Sequence, residues 1–437
     1  MRSAVVLLTR DLRAHDHPAL TAATATAERV IPLFVLDDGI LGASAGSLNQ
    51  IGPNRMGFLL ESLADLRERI PLVVRRGDVV SETARIVDET SAESVHVGAD
   101  VSAYGQEREG RLRRALRAEL VSHPGVTVVP PGEVAPQGGD HYEVFSAYWR
   151  AWREVPLGEL LPVPQLCPHG VEQGELPDPP EGRSPELVRG GESEGRRRLE
   201  RWAAAGLAGY GEGMHETSRL SPYLHFGCLS AREVAIRCAA AESFVRQLCW
   251  RDFYAQLLFA RPETASVDLR PRGDAWVVDD EALSAWRAGR TGFPLVDAGM
   301  RQLAREGWMH NRARLVTASF LTKDLGIDWR VGARHFYDLL LDGDVAQNAG
   351  NWQWVAGTGT DTRPNRIFNP TAQAKKLAGA DVYIRRYVAE LTAVPDVFEP
   401  GLLAPEYPAP IVDHAQATAA FRLRRSPQSK QGEEYDR

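Results

Sequence analysis

"RVIPLFVLD" (residues 29–37) is apolar at nearly every position, and "AVVLLT" (4–9), "PLVVRR" (71–76) and "SVHVGAD" (94–100) share its β-rich character. Helical patterns separate these runs, the clearest being "NRMGFLLESLADLRERI" (54–70). Short apolar runs that alternate with helices indicate a parallel sheet with helices on both faces. Residues 1–130 are therefore expected to form a doubly wound α/β domain.

A chain of 437 residues is too long for one ordinary core, so at least two domains are expected. Residues 131–195 read as an interdomain linker, because "PLGELLPVPQLCPHGVEQGELPDPPEGRSPE" (156–186) is rich in Pro, Gly and Glu and cannot bury enough surface to fold alone. Beyond it β-branched runs become scarce and helical periodicity dominates to about residue 392. A second, all-α domain is expected over 196–415, followed by a polar tail over 416–437.

Composition names no partner. Apolar residues at 43%, charged residues at 25% and a formal charge of −7 are ordinary for a globular protein. Cys167, Cys228, Cys238 and Cys249 make no C-x-x-C pair, so neither a disulfide framework nor a metal site is expected. The apolar run before Thr9 is too short for a signal or a membrane span, and a soluble cytoplasmic protein is expected. Charge is nevertheless uneven: Arg363, Arg366, Lys375, Lys376, Arg385 and Arg386 face the single acid Asp381 between Thr362 and Tyr387. Such a strip suits a phosphate backbone, or simply a solvated face.

Seven of the ten tryptophans lie between Trp250 and Trp354. In "DGDVAQNAGNWQWVAGTGTD" (342–361), Asp344, Asn348 and Trp352 are spaced i, i+4, i+8 and share one face of a helix. An acid, an amide and an indole in a row suit a planar heteroaromatic ligand; Trp at helical spacing also suits a core. "GWMHNRARLVTASFLTKDLGIDW" (307–329) reads as a helix with Trp308, Arg312 and Leu315 on one face and Asn311 and Arg314 beside it. An arginine there needs a partner, for which Asp342 and Asp344 are candidates, or it lies on the surface with its stem over apolar area. In "ETSRLSPYLHFGCLSAREV" (216–234), Thr217, Ser218 and Ser221 precede an apolar run, where hydroxyls cap a helix or bind a phosphate.

These segments, with "WRDFY" (250–254), "GFPLVDAGMRQL" (292–303), "GWMHNR" (307–312), "NWQW" (351–354) and "RIFNP" (366–370), resemble the DNA photolyase/cryptochrome family, closest to its bacterial class I-like enzymes for cyclobutane pyrimidine dimers. "TRDLRAHDHPAL" (9–20) resembles the opening of that family's antenna domain. The resemblance implies a helical domain that holds FAD, blue-light-driven electron transfer, and DNA containing pyrimidine dimers as substrate. It places Thr217, Ser218, Arg219, Leu220 and Ser221 on the FAD phosphates, and Arg314, Asp342 and Asp344 around the isoalloxazine and ribose. Asn348 falls beside the reactive flavin nitrogen, and Tyr210 is a further cofactor contact although its spacing to Thr217 is shortened. Trp352, Trp329 and Trp276 match an electron-transfer chain. By the same resemblance Trp250 and Trp354 would flank a flipped-out dimer, while Gln247, Asn311, Arg312, Arg366, Gln373 and Lys376 match DNA-contacting positions.

Some positions depart from the pattern. Gln247 stands where the class I enzymes carry a glutamate, and an amide cannot supply a proton. Gln also occurs there in the (6-4) photolyases, but those rely on histidines where this chain has Asn311 and Leu315. Leu315 replaces a substrate-facing methionine, and "RPNRIFNP" (363–370) is one residue shorter than the usual loop. The expected function is repair of cyclobutane dimers, with a cryptochrome-type photoreceptor or a (6-4) lyase as alternatives. A second antenna chromophore, deazaflavin or folate, is compatible with the N-terminal domain, and a monomer is expected.

Overall fold

The computed structural model describes residues 2–41, 50–207, 210, 211, 213, 214 and 217–425. Strands β1 (Ser3–Leu8), β2 (Arg29–Asp37), β3 (Val73–Gly77), β4 (Ser94–Gly98) and β5 (Glu119–His123) form one parallel sheet in the order β3-β2-β1-β4-β5. Alternate residues of a strand face opposite sides, and both sides of β1 are covered: Val5 and Leu7 enter one core, Val6 and Leu8 another. That is why its sequence shows no polar alternation. β5 is the strand that sequence reading missed. "ELVSH" lies half-exposed at the sheet edge, so it lacks the continuous apolar run of its neighbours.

The face carrying Val5 and Leu7 packs with Ile31, Leu33, Ile86, Val95 and Leu112. On the other face Val6, Leu8, Phe58 and Leu63 continue into Tyr223, Phe226 and Phe253, so the sheet and the helical region share a core. Phe58 stacks on Phe226 with ring centroids 4.9 Å apart. The backbones also meet there. The Leu12 amide donates to the Phe226 carbonyl at 3.2 Å, and Gly227 (φ +66°) sits so close to the Arg10 carbonyl that a Cβ would collide with it.

The stretch expected to be linker contains the helix Phe145–Trp152, whose Phe145, Tyr148, Trp149 and Trp152 are buried. Their spacing is that of an amphipathic helix, and the stripe packs on the helix Glu242–Ala260. The Pro-rich residues 156–186 instead run as irregular chain. The segment 307–329, expected as one helix, is broken. It comprises the helix Asn311–Ser319, a π turn over Phe320–Asp324, and a new helix Trp329–Leu339 after Gly326 at φ +71°. The π turn carries Lys323 inward, where its ammonium donates to the carbonyls of Pro364 and Arg366. The tail expected from 416 is likewise helical at first: His414–Arg424 is a helix whose Ala417 and Phe421, one turn apart, are buried among arginines that masked them. Residues 426–437 lie outside the described chain. Among the described residues no helix is long and apolar enough to cross a membrane.

Candidate active site

The helix Val345–Ala356 is capped by Asp344, whose carboxylate accepts from the Gln347 amide at 2.9 Å, and is ended by Gly357 at φ +82°. Asn348 and Trp352 line a cavity together with Asn311, Arg314, Leu315 and Asp342. Asp344 does not join them. As the cap it has extended backbone (φ −94°, ψ 134°), which takes it out of the helical row and turns its carboxylate toward Arg10. Of the two acids considered for Arg314, Asp342 is the partner, at 2.9 Å. The other Asp342 oxygen is buried without a hydrogen-bond partner, so the cavity presents an acceptor, a guanidinium and an amide to whatever fills it.

The loop 217–221 does not line this cavity but is linked to it through Trp308, whose ring lies 5.9 Å from the Arg314 guanidinium. Arg219 adopts φ +51°, unusual for a non-glycine residue, and is held by Glu306 at 2.8 Å with its guanidinium 4.6 Å over the Trp308 ring. The Trp308 indole donates to Ser221 Oγ at 3.2 Å, and Ser218 Oγ accepts from the Leu220 amide at 3.3 Å. Leu220 is buried and Thr217 half-buried. Tyr210 packs edge-on against Phe244 (5.1 Å) and Trp202 (5.9 Å), and burial raises its hydroxyl pKa despite the Arg312 charge.

Two of the three expected relay tryptophans are buried and one reaches the surface. Trp352 and Trp329 are 3% and 1% exposed, whereas Trp276 is only half-buried. Gly332, one turn beyond Trp329, lies directly against the Trp352 ring, and a Cβ there would overlap it. Trp286 was not singled out by sequence: it is fully buried, meets Trp352 edge-on at 6.3 Å and donates to the Thr317 carbonyl at 3.1 Å. It was one indole among seven and carried no spacing signal.

On the outer side, Gln247 is exposed and Trp250 half-buried. Phe145 stacks on one face of Trp250 at 3.6 Å with an interplanar angle of 3°, an arrangement hidden in the expected linker. The Arg366 guanidinium lies 5.5 Å over the Trp354 ring. Asn311 and Arg312 are exposed at the start of their helix, and Gln373 and Lys376 sit on the helix Pro370–Lys376. The basic strip is thinner than its sequence: Lys375 pairs with Glu399 at 2.8 Å, Arg386 with Glu306 at 3.3 Å, and Arg385 donates to the Leu391 and Thr392 carbonyls. The acids and carbonyls involved fall outside the window in which the charges were counted.

A second cavity, of about 190 Å³, opens where the sheet meets the helices. It lies at the C-terminal ends of β1, β2 and β4, where the strand order reverses, the position at which open α/β sheets bind ligands. Tyr104 donates to Asp37 in its wall. Arg108 is buried there with its guanidinium 3.9 Å from the Asp100 carboxylate and with Nε and Nη2 making no hydrogen bond among the described residues, and Arg10 reaches Asp344 and Asp100.

Two family models match the chain: DNA photolyase over residues 4–168 and the FAD binding domain of DNA photolyase over 244–426. The chain belongs to the DNA photolyase family, and it is a flavoprotein enzyme of DNA repair with FAD as its cofactor. It is 47% identical to a deoxyribodipyrimidine photo-lyase of Streptomyces griseus, over 97% of this chain and 99% of that one. Among solved structures it resembles a bacterial class III photolyase from Agrobacterium tumefaciens (TM-score 0.87, 31% identity, 97% of each chain). It also resembles an archaeal photolyase from Sulfolobus tokodaii with two FAD molecules (TM-score 0.83, 28% identity, 97% of this chain and 99% of that one).

Proposed function

We propose that this protein repairs cyclobutane pyrimidine dimers in DNA under blue light. The observation that carries the reading is one helix with two uses: Asn348 and Trp352 line the cavity that holds Arg314 and Asp342, while Trp354, two residues on, turns to the surface beneath Arg366. FAD bound in that cavity would supply, on absorbing light, the electron that splits the cyclobutane ring. The unpartnered Asp342 oxygen and the Asn348 amide suit the hydrogen-bonding edge of a flavin, and the loop 217–221 suits its phosphates. Around it the chain positions and shields. Trp354 and the half-buried Trp250 offer π surfaces that offset the stacking lost when a dimer leaves the duplex. Arg312, Arg366 and Lys376 meet phosphates, Asn311 and Gln373 contact the strand, and exposed Gln247 offers amide hydrogen bonds to the lesion. Trp352, Trp329 and Trp276 carry an electron inward from the surface to restore the reduced cofactor.

We further read the second cavity as the seat of a light-gathering chromophore. A planar ligand with an anionic or carbonyl group would accept hydrogen bonds from Arg108 Nε and Nη2, which make none among the described residues although Asp100 lies 3.9 Å away. The Sulfolobus relative, solved with two FAD molecules, supports a second chromophore besides the catalytic one.

The test is a pair of oligonucleotides, one with a cyclobutane thymine dimer and one with a (6-4) product, illuminated side by side with the FAD-loaded protein. Restoration of the first alone is expected. Restoration of the second alone would assign the (6-4) activity, and restoration of neither would favour a photoreceptor.

A further inference from the structure

Trp329 is buried, and its one polar atom is engaged: indole Nε1 donates to Asp268 Oδ1 at 2.8 Å. Asp268 comes from the irregular stretch before Trp276, 61 positions earlier in the chain. The same Oδ1 accepts from Arg330 Nη2 at 2.8 Å, and Arg330 also holds Asp328 (3.1 and 3.3 Å) and the Ser266 carbonyl (2.6 Å). The Arg330 guanidinium lies 4.7 Å over the Trp329 ring. Two carboxylates therefore surround one guanidinium, and this cluster carries a net charge of −1. The rings beside Trp352 are neutral, Phe336 at 5.0 Å and Trp286 at 6.3 Å.

We propose that Asp268 is a positioning residue of the photoreduction relay: its carboxylate makes Trp329 the resting place of the positive charge that leaves Trp352. This deepens the relay reading given above and rests on it. The step is a single electron transfer. Oxidised Trp352 takes one electron from Trp329 and returns to a neutral indole; Trp329 becomes the radical cation and keeps its Nε1 proton, which points at a carboxylate. Indole N–H grows more acidic and more positive on oxidation, so a charged acceptor at hydrogen-bond distance stabilises the cation far more than the neutral ring. Burial strengthens the effect, because charge interacts more strongly away from water. Arg330 opposes it from the ring face, and Asp328 offsets much of that opposition. The result is a downhill step away from the cofactor cavity, which delays return of the charge and leaves time for Trp276 to supply the next electron.

Asp268→Asn tests this directly, since its carbonyl still accepts the indole N–H and only the charge is lost. The FAD-loaded protein is excited with a short blue pulse, and the lifetime of the charge-separated state is followed together with the steady photoreduction yield in the presence of a thiol donor. A charged hydrogen bond is worth about a factor of ten in such a partition, so lifetime and yield are expected to fall about tenfold. Asp268→Glu should restore most of both. Arg330→Gln, which removes the opposing cation, should lengthen the lifetime, an effect opposite in sign to structural damage and one that does not depend on the Asn variant folding. Repair by protein reduced chemically beforehand should not change. A wild-type lifetime in Asp268→Asn, where Trp329→Phe is inactive in photoreduction, overturns the inference and leaves the relay standing. Normal photoreduction in Trp329→Phe overturns the relay itself, and the inference with it.

Discussion

Arg10, two residues past the end of β1, holds the carboxylate of Asp344, the cap of the helix that carries Asn348 and Trp352. The pair joins the two cavities, since Arg10 and Asp344 line one and the helix they steady lines the other. Burial alone would push the Asp344 pKa up, but Arg10, with His225 and Arg251, holds it well below the usual carboxylate range.

The unfolded chain therefore takes up this proton first. The stabilisation from Asp344 is complete above the unfolded carboxylate pKa of about 4 and is lost as pH falls toward the lower folded value. Arg10→Met, which takes the nearest cation from a buried carboxylate and leaves it only the more distant His225 and Arg251, should cost up to about 3–5 kcal/mol at pH 7. In urea titrations that deficit should narrow at pH 3; an equal deficit at both pH values would argue against the pair.

Gly332→Ala puts a methyl into Trp352 and Leu321. Overpacking of this kind costs about 1–3 kcal/mol, read as a lower melting temperature. Because Trp352 must shift, photoreduction should slow in the same variant. A loss of stability with unaltered photoreduction would show that the indole position is not critical.

Burial pushes the Lys323 ammonium down to about 7 although it donates to two carbonyls. Its folded pKa lies below the unfolded value, so the native state releases this proton first, and wild-type stability should climb between pH 7.5 and 9.5 by up to about 1.4 kcal/mol per unit. Lys323→Met should lack that climb. It should also bind DNA more weakly, because the carbonyls Lys323 holds belong to the loop bearing Arg366. Denaturation at the two pH values, with binding by fluorescence anisotropy, reads both effects.

Arg366→Ala should weaken DNA binding and lower the slope of log affinity against log salt by about 1, the signature of one lost phosphate contact. Lys375→Ala should leave the slope nearly unchanged, because Glu399 already neutralises that charge. Equal slopes in the two variants would place the DNA elsewhere on the surface.

The parts of this molecule that were legible in the sequence are those where the signal is local. β1 and β2 are buried on both faces and read as apolar runs, whereas half-exposed β5 did not. Asn348 and Trp352 share a face because they share a helix, and Asp344 left that row because a cap has non-helical backbone. Arg314 announced its need for an acid, but two acids fitted and only packing selected Asp342. The partners of Asp344, Trp329 and Trp250 were illegible for a common reason. Arg10, Asp268 and Phe145 are distant in sequence and meet them only once the layers dock. The basic strip misled because pairing with Glu306 and Glu399 is also a product of folding.

The central claim is that light drives repair through the cavity beside Trp352. The most direct measurement uses protein loaded with FAD, reduced in the dark and mixed with an oligonucleotide carrying one cyclobutane thymine dimer, one half illuminated with blue light and the other kept dark. The account predicts intact thymines only in the illuminated half. Equal repair in both halves, or none in the light from protein that holds reduced FAD and binds the oligonucleotide, would contradict it.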